Sequence, residues 1–183
     1  MNKNTNTKKK WLRLILEALI VIGLILVIRA WQQRNVASGV APGFQSVLLD
    51  GNTVNLEDYK GKPVLIHFWA KWCPFCKIEE GSITDIQKDW TVLTVAYQSG
   101  NADDIKKHLQ ERKLQGWQTI VDEDGRLADL FGVTGVPASF ILDSAGNIRF
   151  SEVGLTSEWG LRARLWWADK FPKKADNTPV TEQ

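Results

Sequence analysis

The 183-residue sequence predicts an α/β fold, a central mixed β-sheet flanked by helices, with an N-terminal β-hairpin and one transmembrane helix ahead of it. Three observations lead there. From Phe44 to Phe171, apolar runs of strand length alternate with stretches of helical periodicity. Turn-forming clusters split both ends of that region into hairpins. An apolar stretch from Leu14 to Ile28 follows a cluster of lysines.

Taken in order, Lys3, Lys8, Lys9, Lys10 and Arg13 precede the apolar stretch, which only Glu17 breaks, and Trp11 and Trp31 bracket it. Twenty helical steps of about 1.5 Å separate those two tryptophans, close to the roughly 30 Å thickness of a hydrocarbon layer. Interfacial tryptophans and an Arg13–Glu17 pair at i,i+4 suit such a helix. The reading is a basic cytoplasmic segment at 1–10 and a membrane anchor at 11–31. Arg29 and Arg34 stand between the apolar run and the small residues after it, which disfavours a cleaved signal peptide. Residues 32–43 read as a linker and the polar tail 172–183 as disordered.

Within 44–171, Ser46–Leu49 and Thr53–Leu56 flank Asp50-Gly51-Asn52, a hairpin signal. Val64–Trp69 is a continuous apolar run, as in a strand buried on both faces. A helix follows from about Cys73 to Lys88, then a strand over Thr91–Tyr97. Asn101 caps a helix to about Lys113, with Asp103 and Asp104 in its first turn. A short strand lies near Thr119–Val121, and Gly132 ends a short helix over Arg126–Phe131. Ser139–Leu142 and Ile148–Val153 form a second hairpin, and Ser157 caps a last helix to about Lys170.

Hydrophobic residues at 44% are enough for a core. Net charge is +2, but the first 35 residues hold seven Lys or Arg and one acid, whereas the rest holds 16 basic and 20 acidic residues. A basic head on a mildly acidic body argues for membrane orientation and against nucleic-acid binding.

Only two cysteines exist, Cys73 and Cys76, too few and too close for a disulfide-stapled scaffold. At i and i+3 on a helix they share one face at a bridgeable separation. Pro74 suits the first turn, where its missing N–H costs nothing. At the helix start, free N–H groups and the helix dipole stabilise a thiolate on Cys73, which makes it the nucleophile. Cys76, one turn in and more deeply placed, then resolves the mixed disulfide. A zinc site would need further ligands, and only His67 and His108 are present, 41 residues apart.

Phe68-Trp69-Ala70-Lys71-Trp72-Cys73-Pro74-Phe75-Cys76 resembles the thioredoxin superfamily pattern of apolar strand, Trp-Ala-x-Trp-Cys-x-x-Cys and helix. Gly132-Val133-Thr134-Gly135-Val136-Pro137 fits a second motif. The resemblance implies that Pro137 is cis, opposite the cysteines, and that the Val136 backbone pairs with an extended substrate segment. The anchor, the leading hairpin, Glu79 and the helix before Asp122-Glu123-Asp124-Gly125 are similar to the membrane-tethered TlpA/DsbE-like branch, with details near the suppressor-of-copper-sensitivity protein D group.

Three positions depart from the pattern. His67 stands where thioredoxin has a buried Asp, and either relays protons to the inner cysteine near neutral pH or is a buried, hydrogen-bonded residue. Gly81 replaces a kinking proline. Pro74-Phe75 lacks the histidine of strongly oxidising relatives, so an intermediate-to-reducing pair is expected. By resemblance Glu79 lies near Cys76 and tunes it, although Glu79 and Glu80 also read as solvated helix residues. Trp72 is expected to be the exposed tryptophan, facing substrate.

The resemblance implies a periplasmic protein thiol–disulfide oxidoreductase on the bacterial inner membrane, single-pass with its N-terminus cytoplasmic, serving cytochrome c maturation or copper tolerance. A DsbD/ScsB-like membrane thiol reductant is its expected electron donor. No metal and no cofactor beyond the Cys73–Cys76 disulfide are expected, and the chain should be monomeric. A copper(I) carrier using two soft thiolates and a non-catalytic tethered docking module remain as alternatives.

Overall fold

A computed structural model describes residues 10–11, 13–24 and 36–173. The expected N-terminus 1–10 except Lys10, Leu12 and 25–31 of the expected anchor, linker residues 32–35 and tail residues 174–183 lie outside them. The chain divides into two compact units, Met1–Asn35 and Val36–Gln183. In the first, residues 13–24 are helical, and Arg13 Nε lies 3.6 Å from Glu17 Oε1 at i,i+4. Among the described residues, no helix is long and apolar enough to cross a membrane.

The second unit contains β1 (Gly39–Val40), β2 (Gln45–Val47), β3 (Thr53–Asn55), a 3-10 turn at Leu56–Tyr59, β4 (Val64–Trp69), α1 (Pro74–Ile86), β5 (Thr91–Tyr97), α2 (Ala102–Glu111), β6 (Thr119–Asp122), α3 (Arg126–Leu130), β7 (Ala138–Leu142), β8 (Asn147–Val153) and α4 (Glu158–Lys170). The main sheet has the order β1-β8-β7-β4-β5-β6. Strands β4, β5 and β6 run parallel, whereas β7, β8 and β1 pair antiparallel. The mixed sheet and its flanking helices are those the sequence predicts, and β2–β3 is the predicted hairpin, standing as a separate two-stranded sheet.

Strand β4 is buried along its whole length, and its period of two sorts its side chains. Val64, Ile66 and Phe68 join the core shared with α3 and the hairpin. Leu65 and Trp69 join the core formed with α1, α2 and α4. His67 falls on this second face, and that parity aims it at α1.

Helix boundaries follow local capping. Asn101 and Asp104 form a capping box on α2, and Ser157 accepts from Gly160 N–H at the start of α4. Helix α3 ends where Gly132 adopts φ +67°: its N–H donates to Asp129 and that of Val133 to Ala128, a Schellman closure. Its N-cap, Gly125, has no side chain to cap with, and Asp124 Oδ1 reaches only the Arg126 N–H, at 3.3 Å. Instead the buried carboxylate of Asp122, on β6, accepts from the N–H groups of Leu127 and Ala128, both at 2.9 Å.

Two boundaries differ from the sequence reading. Part of the segment expected as linker is strand: β1 pairs with Asn147 and Ile148, Ala41 is buried, and Ala37 N–H donates to Phe131 O. A two-residue strand has no periodicity to read and exists because β8 offers an unpaired edge. At the other end, Lys173, expected in the free tail, donates its N–H to the buried Asp143 carboxylate at 2.8 Å. Helix α1 runs uninterrupted through Gly81.

Candidate active site

The site forms where β4 ends and α1 begins. Cys73 is the N-cap of α1, with extended backbone (φ −87°, ψ 115°), and Pro74 occupies the first turn. The Cys73 sulfur accepts the backbone N–H of Cys76 at 3.2 Å, so one orphan donor of the helix start points at it. Both cysteines are free thiols. The Val136–Pro137 bond is cis, Pro137 is buried, and the Val136 carbonyl accepts from Cys73 Sγ at 3.5 Å. The cysteines and the proline turn, 63 residues apart between Cys73 and Val136, therefore meet as the motifs require.

Exposure does not follow the expectation that Cys76 lies deeper than Cys73. Cys73 is 2% and Cys76 4% exposed, while Trp72 (58%) and Phe75 (55%) form the open surface. The Val136 turn lies against the outer sulfur, which the helix position alone does not reveal. Trp72 is exposed as predicted, but Trp159 on α4 is more so, at 82%. The loop before Cys73 is held by two residues that the sequence did not single out. Ser99 Oγ accepts the Lys71 N–H at 3.0 Å, and the Gln98 carbonyl accepts Trp72 Nε1–H at 3.1 Å. Gln98 takes a left-handed φ of +42°, an uncommon conformation for a residue other than glycine.

Beneath the cysteines lie His67 and Glu79, both buried. Glu79 sits one turn beyond Cys76, and its Oε1 accepts the Thr156 N–H. His67 Nδ1 lies 2.9 Å from Ser139 Oγ, its registered neighbour on β7. His67 Nε2 and Glu79 Oε2 face each other at 4.0 Å, and neither has another partner. Full burial pushes the His67 pKa down to about 3, so the imidazole does not titrate near neutrality as the relay reading supposed. Burial pushes Glu79 up to about 7, against the Thr156 hydrogen bond. Burial chiefly, with the Cys73 hydrogen bond and the charges of Cys73 and Glu79, raises the Cys76 thiol. Glu80, by contrast, pairs with Arg112 Nε at 2.9 Å. Among the described residues, no group of three or more His, Cys, Asp or Glu could hold a metal ion.

This arrangement can exchange a dithiol for a disulfide. One sulfur is presented by a helix start, a second lies one turn behind it, and a titratable carboxyl follows a turn later.

Comparison with known proteins agrees. Residues 38–151 match the AhpC/TSA family. A thioredoxin-like protein of Haemophilus influenzae is 34% identical over 125 residues, covering 67% of this chain and 74% of its own. A thiol:disulfide interchange protein DsbE of Pseudomonas fluorescens is 29% identical over 174 residues, covering 91% and 94%. The crystal structure of an exposed lipoprotein thioredoxin of Streptococcus pneumoniae superposes with a TM-score of 0.63 at 27% identity, covering 68% of this chain and 98% of that one.

Proposed function

The chain belongs to the AhpC/TSA family, as a thioredoxin-like thiol–disulfide oxidoreductase, and from that premise we propose a membrane-tethered reductase or isomerase of periplasmic protein disulfides. One observation carries the chemistry: Cys73, capping α1, holds its sulfur against the N–H of Cys76 and the carbonyl of Val136.

In the proposed cycle, the Cys73 thiolate attacks a substrate disulfide, forming one S–S bond and releasing one substrate thiolate. Cys76 Sγ then attacks Cys73 Sγ. The Cys73–Cys76 bond forms, the bond to substrate breaks, and the second substrate sulfur leaves with the electron pair. Glu79 takes the Cys76 proton. Two electrons have passed to the substrate, and a DsbD/ScsB-like membrane dithiol restores the pair. Trp72 and Phe75 offer apolar surface to the substrate, whose extended chain pairs with the Val136 backbone beside Pro137.

Tethering is proposed from the lysine-flanked apolar stretch 14–28, which would place the body in the periplasm. The absence of histidine between the cysteines supports the reducing side, in cytochrome c maturation or copper-stress thiol homeostasis as the suppressor-of-copper-sensitivity likeness suggests. Trapping tests the reading. Cys76→Ala in living cells should accumulate mixed disulfides through Cys73, and Cys73→Ala should abolish them. Stoichiometric copper(I) binding without trapped partners would favour the carrier instead.

A further inference from the structure

We propose that Ser139, His67 and Glu79 form a buried hydrogen-bonded line in which the Ser139 hydroxyl holds Nδ1 of the ring and Nε2–H donates to the Glu79 carboxylate that takes the Cys76 proton. The proposal rests on the reading of Cys76 as the resolving thiol and assigns positioning roles to His67 and Ser139.

The geometry comes from strand register. His67 and Ser139 are paired neighbours on β4 and β7, on the sheet face that α1 covers. Ser139 Oγ takes one ring nitrogen at 2.9 Å, leaving Nε2 aimed at Glu79 Oε2. Those two atoms are buried polar atoms without any other partner, a costly condition unless they serve each other. Their 4.0 Å separation is about 1 Å beyond hydrogen-bond length, within reach of a small carboxyl rotation.

One arrangement satisfies every group of the line when Glu79 is ionised: Nε2–H donates to the carboxylate, and the Ser139 hydroxyl donates to Nδ1. The imidazole is neutral in it, as its burial demands. A hydroxyl that donates to Nδ1 leaves the ring proton on Nε2, on the side that faces Glu79.

Among the groups packed around the line, the Cys76 thiol is coupled to Glu79 by charge. Helix α1 contributes Cys76, β5 the hydroxyl of Thr94 beside His67, and the loop before α4 the Thr156 N–H. Glu152 on β8 is registered with Ser139 but pairs with Arg164 of α4 at 2.8 Å. Arg162, also on α4, is held by Asp89 and Glu158.

The test uses the full-length protein in detergent with an aromatic disulfide, 5,5′-dithiobis(2-nitrobenzoate), as probe. Cys73 captures one half in a first phase, and Cys76 displaces it in a second, each releasing a coloured thiolate. In the wild type, the second-phase rate should inflect near pH 7 with Glu79. His67→Asn keeps a polar group toward Ser139 but cannot reach Glu79. The ionised carboxylate then loses its charge-assisted donor, so the inflection should rise by roughly one unit while the first phase changes less than about twofold. His67→Gln, which restores an amide at the Nε2 position, should bring it back, and Ser139→Ala should shift it in the same sense as His67→Asn. If His67→Asn and Ser139→Ala both leave the inflection in place, the line is packing only. If a His67 variant fails to fold, Ser139→Ala decides alone. A wild type with no second phase would instead overturn the assignment of Cys76.

Discussion

The carbonyl oxygen of Val136 lies 3.5 Å from Sγ of Cys73, joining the cis-proline turn to the start of α1. With Cys73 only 2% exposed beside this turn, small reagents reach the sulfur more readily than bulky ones. Size-dependent labelling follows. Methyl methanethiosulfonate should modify Cys73 at least about tenfold faster, relative to each reagent's rate with free cysteine, than a bulky fluorescent maleimide does. Equal relative rates in stopped-flow labelling would show the sulfur open.

Glu79 and His67 impose opposite pH dependences on stability. Glu79, raised to about 7, keeps a proton in the folded state that the unfolded chain releases, so its contribution falls as pH rises from about 4.5 to 7. His67, lowered to about 3, stays neutral where the unfolded chain takes up a proton, so its contribution is present above 6.5 and lost as pH falls toward 3. The two slopes oppose each other between about 4.5 and 6.5. Glu79→Gln should therefore be stabilised relative to wild type by an amount growing through that window toward about 3 kcal/mol above pH 7. Urea unfolding at a series of pH values measures the difference, and a pH-independent difference would contradict it.

Trp72 is exposed yet tied through Nε1–H to the Gln98 carbonyl, which fixes its ring beside Cys73. Trp72→Ala should raise KM for a protein disulfide about three- to tenfold with kcat nearly unchanged, as for loss of an apolar contact equal in ground and transition states. Steady-state kinetics on a disulfide-bonded protein checks the split.

Asp122 closes the N-terminus of α3 from a neighbouring strand, its carboxylate accepting two N–H groups at 2.9 Å. Asp122→Ala leaves both donors buried and should cost about 2–4 kcal/mol in chemical denaturation. A loss below about 0.5 kcal/mol would mean that water replaces the carboxylate.

Much of the chain was legible because its signals are local. Strands β4 and β5 and helix α4 declare themselves through apolar runs and capping residues, and Cys73-Pro74-Phe75-Cys76 announces a helix start bearing two thiols. Pattern and capping depend on nearest neighbours, so a linear sequence carries them whole. Tertiary structure decided the rest. The edge strand β1 exists through β8, Cys73 is covered by a turn 63 residues away, and Asp122 caps a helix from outside it. Above all, strand register set Ser139 beside His67 and parity aimed His67 at Glu79. Register and burial arise from pairing between distant segments, and they turned a histidine whose ordinary pKa lies near neutrality into one held neutral, with a glutamate raised to about 7 in its place.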